Sequence, residues 1–125
     1  MKQTLAVLHT EHSEWMKKLL FYEDELNVML RRLAEIADRN TKTEVMARLE
    51  HFQNLMIVQK EQLDILKHGI REHEQGLADE VRRWPVASDH RKFPDHEDQR
   101  ERMLRYGQLF EEMRTEFKYF VSEWM

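Results

Sequence analysis

Along the first forty residues, apolar side chains return in alternating steps of three and four: Leu5, Leu8, His12, Trp15, Leu19, Tyr22, Leu26, Met29, Leu33 and Ile36. A period of about 3.5 residues marks a helix packed lengthwise against other long helices. The pattern predicts a first helix over about 4–39. Asn40 can take the left-handed conformation that ends a helix, and Thr41 with Glu44 reads as a capping box opening the next. A second stripe follows: Val45, Leu49, Phe52, Met56, Gln59, Leu63, Leu66, Ile70, His73, Leu77 and Trp84. It predicts a helix over about 42–84 that Pro85 stops, because proline has no amide hydrogen to donate. After a loop at 85–93, Pro94 and the acidic residues behind it open a third helix to about 124. The seam of that helix is Met103, Tyr106, Phe110, Met113, Phe117, Phe120 and Trp124.

The very short first turn forces helices 1 and 2 to run antiparallel as neighbours. The predicted fold is therefore all-α: one domain over 1–125, an antiparallel up-down-up three-helix bundle of long helices with coiled-coil-like heptad packing. Antiparallel geometry sets a ruler. Helices 1 and 2 are level where residue numbers sum to about 81, and helices 2 and 3 where they sum to about 178.

Two places break the stripe. Tyr22 and Gln59 fall at one level, which predicts a hydrogen-bonded polar layer that fixes register, with a ligand contact as the other reading. His12 and His73 fall about one turn apart, with His9 and Glu72 beside them. Gly69, Gly76 and Gly107 gather towards the same end, and each glycine inside a helix costs about 1 kcal/mol against alanine. Close helix approach, or room for Trp15 and Tyr106, is one explanation. A pocket lined by His12, Trp15, His73 and Tyr106 that takes a metal or small ligand is the other. In the metal version His9, His12 and His73 are the ligands. His90 and His96, in or just after the second loop with Arg91, Lys92 and Asp95, read as a solvated, charged loop, with a surface site as the other reading.

Some apolar residues lie off the stripe: Leu20, Phe21 and Val28 on helix 1, and Ile57, Val58 and Ile65 on helix 2. The ruler overlaps the two groups mid-rod. Exposed together, they would form one face that predicts a homodimer or a partner helix in the groove.

Composition narrows the chemistry. Without cysteine there is no disulfide framework and no thiolate nucleophile. The 24 acidic and 20 basic residues are mixed along the chain, so no basic stripe suggests nucleic acid. The longest apolar runs, Leu19–Tyr22 and Leu55–Val58, are far shorter than the roughly 20 residues that span a bilayer. The first residues lack a secretory apolar run, and a cytoplasmic location is expected. No histidine has Glu three residues before it, as di-iron carboxylate bundles require. The paired His-x-x-x-Glu and His-x-x-x-His of hemerythrin-like bundles occurs only as His68 and Glu72, so no family is assigned. No serine has a nucleophile-elbow context. The sequence thus predicts a non-enzymatic bundle without cofactor, acting by protein–protein contact, with the small metal- or ligand-binding bundle as the alternative.

Overall fold

The computed structural model describes residues 5–40, 42–83 and 94–124. It is an all-α bundle of three helices: α1 (Leu5–Arg39), α2 (Thr43–Arg83) and α3 (Pro94–Trp124). All three pairs of helices pack against one another. Trp84, Pro85, the 85–93 loop with His90, and Thr41 of the expected capping box lie outside the described residues.

The stripe is the core. Leu8, Leu19, Leu26 and Ile36 of α1, Leu63 and Ile70 of α2, and Phe110 and Phe120 of α3 are all buried. Phe52 seats on Phe117 and Phe120, at ring separations of 5.4 and 5.0 Å. Trp124, the last described residue, packs half-buried against this cluster, as the seam predicts.

Asn40 ends α1 by a different device from the one predicted. No described residue other than glycine has positive φ, so Asn40 is not left-handed. Its backbone amide and its side-chain Nδ2 both donate to the Ile36 carbonyl, at 3.1 and 2.9 Å. The side chain supplies the hydrogen bond that left-handed geometry would have supplied.

The ruler holds for α1 and α2, where His9 meets Glu74 and Glu23 meets Lys60, pairs that sum to about 83. Glu23 also reaches Lys67, and the hydrogen bonds from Lys60 and Lys67 hold its carboxyl below the usual range. Between α2 and α3 the ruler is corrected. Gly69 faces Gln99, Phe52 faces Phe117, and Arg48 pairs with Glu123, so the sum is about 170 rather than about 178. The aromatic contacts set this register, because sliding α3 would uncouple Phe52 from both its partners. The last residues of α2 therefore run past the start of α3.

Candidate functional site

The corrected register decides which side chains meet. His73 comes level with the start of α3, where His96 sits, and Tyr106 moves towards mid-bundle. His96 is buried, 2% exposed, and is not part of a solvated loop. Its ring stacks on Trp15 at 4.8 Å and lies 5.0 Å from the ring of His12. His12, also 2% exposed, lies 5.6 Å from Trp15 and 5.9 Å from His73. One end of the bundle thus closes on an aromatic cluster built from all three helices.

Two carboxylates clamp this cluster from outside. Glu74 of α2 accepts from Nδ1 of His12 at 2.6 Å and from Nδ1 of His9 at 2.8 Å. Partial burial pushes the Glu74 carboxyl up, but the two imidazole hydrogen bonds outweigh it and leave the group below its ordinary range. Glu11 of α1 receives both arms of the Arg100 guanidinium, at 3.0 and 2.6 Å, and Nε2 of His96 at 3.2 Å. The Arg100 hydrogen bond is the main reason the Glu11 carboxyl is lowered. His96 is shifted down, chiefly by desolvation, which the Glu11 hydrogen bond only partly offsets; the nearby Arg100 guanidinium acts in the same downward direction. The Nε2 atom of His12 is buried and has no hydrogen-bond partner, and the same holds for Nε2 of Gln99 alongside. An open groove of about 550 Å³ runs beside the clamp, lined among others by His9, His12, Met16, Leu20, Ile70 and Glu74.

The pocket expected from His12, Trp15, His73 and Tyr106 is corrected accordingly. The first three do meet, and His96 takes the place given to Tyr106. Tyr106 instead donates its hydroxyl to the Gln59 carbonyl at 3.2 Å and is raised well above its ordinary pKa by burial. The expected Tyr22–Gln59 bond is not made either. Tyr22 turns towards α3, its ring 4.5 Å from Phe110 and 5.5 Å from Tyr106, with its hydroxyl over Gly107. Gly107 leaves the room that draws Tyr22 away, and the Gln59 side-chain oxygen is left unpartnered. The ligand set His9, His12 and His73 is not assembled as such: His9 and His12 converge on Glu74 instead. Among the described residues no group of three His, Asp or Glu side chains is arranged to hold a metal ion.

His96, Gln99, Glu11, Glu74 and Arg100 were missed by the stripe. The signal was present for two of them. His96, Gln99 and Met103 continue the three-four steps backwards from the third seam, but His96 and Gln99 are polar and so do not mark a seam in the apolar pattern.

All six off-stripe apolar residues are exposed, between 46% and 53%. They do not form one face. Glu23, one step after Tyr22, meets α2, while Glu11, one step before His12, meets α3. On α2, Lys60, one step after Gln59, meets α1, and Arg48, one step before Leu49, meets α3. Leu20 and Ile57 each follow a seam residue, so both border the α1/α2 groove. Phe21 and Val28 precede theirs and lie towards α3, as do Val58 and Ile65 on the opposite flank. Leu30 and Met46, also exposed, join Leu20 and Ile57 on the α1/α2 face. There a groove of about 650 Å³ is lined by Leu30, Ala34, Ala37, Met46 and Ala47 among others.

No family model, no curated protein and no solved structure matches the chain. Among the described residues no helix is long and apolar enough to cross a membrane.

Proposed function

We propose that the protein is a non-enzymatic helical bundle that acts by protein–protein contact and pairs with a second copy of itself through the α1/α2 face. The observation that carries this reading is the self-complementarity of that face. At one end Leu20 protrudes. At the other a shallow groove is floored by Ala34, Ala37 and Ala47, small enough to admit a side chain, and edged by Leu30 and Met46. A two-fold axis near the level of Leu55 sets Leu20 of each copy over the other's alanine groove. The same axis brings Ile57 opposite Leu30, and Glu50 opposite Lys60 and its partner Glu23, so the apolar fit carries this isologous arrangement. A cytoplasmic location, with no nucleic-acid or membrane partner, belongs to the same proposal; what supports the lack of a nucleic-acid partner is the mixing of acidic and basic residues along the chain.

Light scattering after gel filtration tests it. The expected mass is about twice the 15.4 kDa chain, falling to one chain in Leu20→Glu with Met46→Glu. Phe21→Glu with Val58→Glu, on the other flanks, leaves the mass unchanged. A wild-type mass of one chain at about 100 μM, or a loss of pairing only in the second variant, removes this reading.

The alternative, a small metal- or ligand-binding bundle, rests on the unpartnered His12 Nε2 and on the carboxylate that holds its other nitrogen, an outer-shell arrangement common around metal-bound histidines. Protein purified without a histidine tag that carries near one equivalent of zinc, copper or iron, lost in His12→Ala, would favour it.

A further inference from the structure

We infer that the His96 end of the bundle is an acid-released latch: protonation of His96 frees the start of α3 from α1 and α2 while the rest of the rod stays closed. The inference rests on what faces this imidazole from each helix. From α1 come His12, Trp15 and Glu11, the last already bound by both arms of Arg100. From α2 come His73, across the His12 ring, and Glu74, whose two oxygens are occupied by His9 and His12. From α3 itself come Gln99, one turn on, and Arg100, with Glu97 outside it. Lys17 and Arg71 border the groove on the far side of the clamp.

Two carboxylates therefore serve one arginine and three imidazoles, and both are already engaged. A proton added to His96 arrives in a buried site where the one carboxylate within hydrogen-bond reach among the described residues is shared with a guanidinium. A buried charge that must share its counter-ion with a guanidinium is relieved most cheaply by exposing it. The route lies open, because His96 is in the first turn of α3 and helix ends open at far lower free energy than helix centres. Mid-rod, Leu26, Leu63 and Phe110 are buried, and the Tyr22 and Tyr106 hydroxyls beside Phe110 are raised by burial above their ordinary range, so they stay neutral as His96 takes up its proton.

Amide hydrogen exchange, corrected for the intrinsic effect of pH, tests the inference. Between about pH 7.5 and about pH 5.5, exchange over 96–103 should rise about tenfold or more, with little change over 52–66. In His96→Phe, which keeps a ring on Trp15 and removes the proton site, the rise should vanish. A uniform rise along all helices, or an equal rise in His96→Phe, overturns the latch. Should that variant fail to fold, NMR titration of the native His96 ring decides: its midpoint must coincide with the exchange transition, and a midpoint at or above the ordinary histidine value refutes the inference. Because the latch lies at the opposite end from the alanine groove, a monomeric protein with an intact acid response would remove the pairing and leave the latch standing.

Discussion

The three glycines of the bundle give a test in which the same chemical change should have two different outcomes. Replacing a glycine inside a helix by alanine stabilises it by about 1 kcal/mol, because the unfolded chain loses freedom and the helix backbone is better shielded. At Gly76 an added methyl meets nothing within 4 Å, so Gly76→Ala should gain that amount. At Gly69 it would touch the Gln99 side chain at 3.4 Å, an ordinary contact, and the gain should be similar. Gly107 differs. There the methyl would lie 3.0 Å from the Tyr22 hydroxyl, which must yield by a few tenths of an ångström. The Tyr22 ring is wedged between Tyr106 and Phe110 and cannot simply swing aside. Moving such a side chain off its rotamer costs about 0.5–1.5 kcal/mol, enough to cancel the gain.

Gly107→Ala alone should therefore be near neutral. Tyr22→Phe removes the obstructing oxygen, which makes no hydrogen bond among the described residues, and should itself cost little. In that background Gly107→Ala should recover about 1 kcal/mol, visible as a coupling of that size in the double-mutant cycle. Urea unfolding followed by circular dichroism reads the free energies, and a melting shift of about 4 °C per kcal/mol gives a second measure. If Gly107→Ala stabilises the native background as much as Gly76→Ala does, Tyr22 is not held where its contacts imply, and the reasoning fails.

Phe110 is fully buried beneath Tyr22 and Tyr106, so Phe110→Ala should destabilise the bundle by about 3–5 kcal/mol in the same urea assay; a loss under about 1 kcal/mol would mean this core is loosely packed. Stability should also fall with pH in two windows. His96 is lowered in the fold, so the unfolded chain binds its proton first; the stability this provides is complete above about pH 6.5 and declines as pH drops towards the folded value. Glu11, Glu23 and Glu74 are lowered too, and their contribution holds above about pH 4.5 and is lost below it. Denaturant midpoints across pH 3 to 8 should show both steps, with only the upper one missing in His96→Phe. A profile flat from about pH 7 to pH 5 would contradict the His96 assignment.

Sequence alone determined that the chain makes three long helices, that α1 stops before Asn40, and which apolar side chains of the stripe are core. A three-four repeat leaves one apolar edge per helix, and three such edges have few ways to bury one another. The short turn at Asn40 likewise tied α1 to α2, so Glu23 and Lys60 could be brought level from numbering alone. Nothing comparable tied α2 to α3. A ten-residue connection permits several registers, and the choice was made by Phe52 interlocking with Phe117 and Phe120, a non-local packing contact that no local pattern encodes. That choice moved His96 into the cluster and Tyr106 out of it. The exposed apolar residues follow the same division. Sequence placed Leu20, Phe21, Val58 and Ile65 off the stripe, but only the neighbours of Glu11, Glu23, Arg48 and Lys60 decide on which flank each falls. One step along a helix turns a side chain through about 100°, and that angle separates a shared face from two opposite ones.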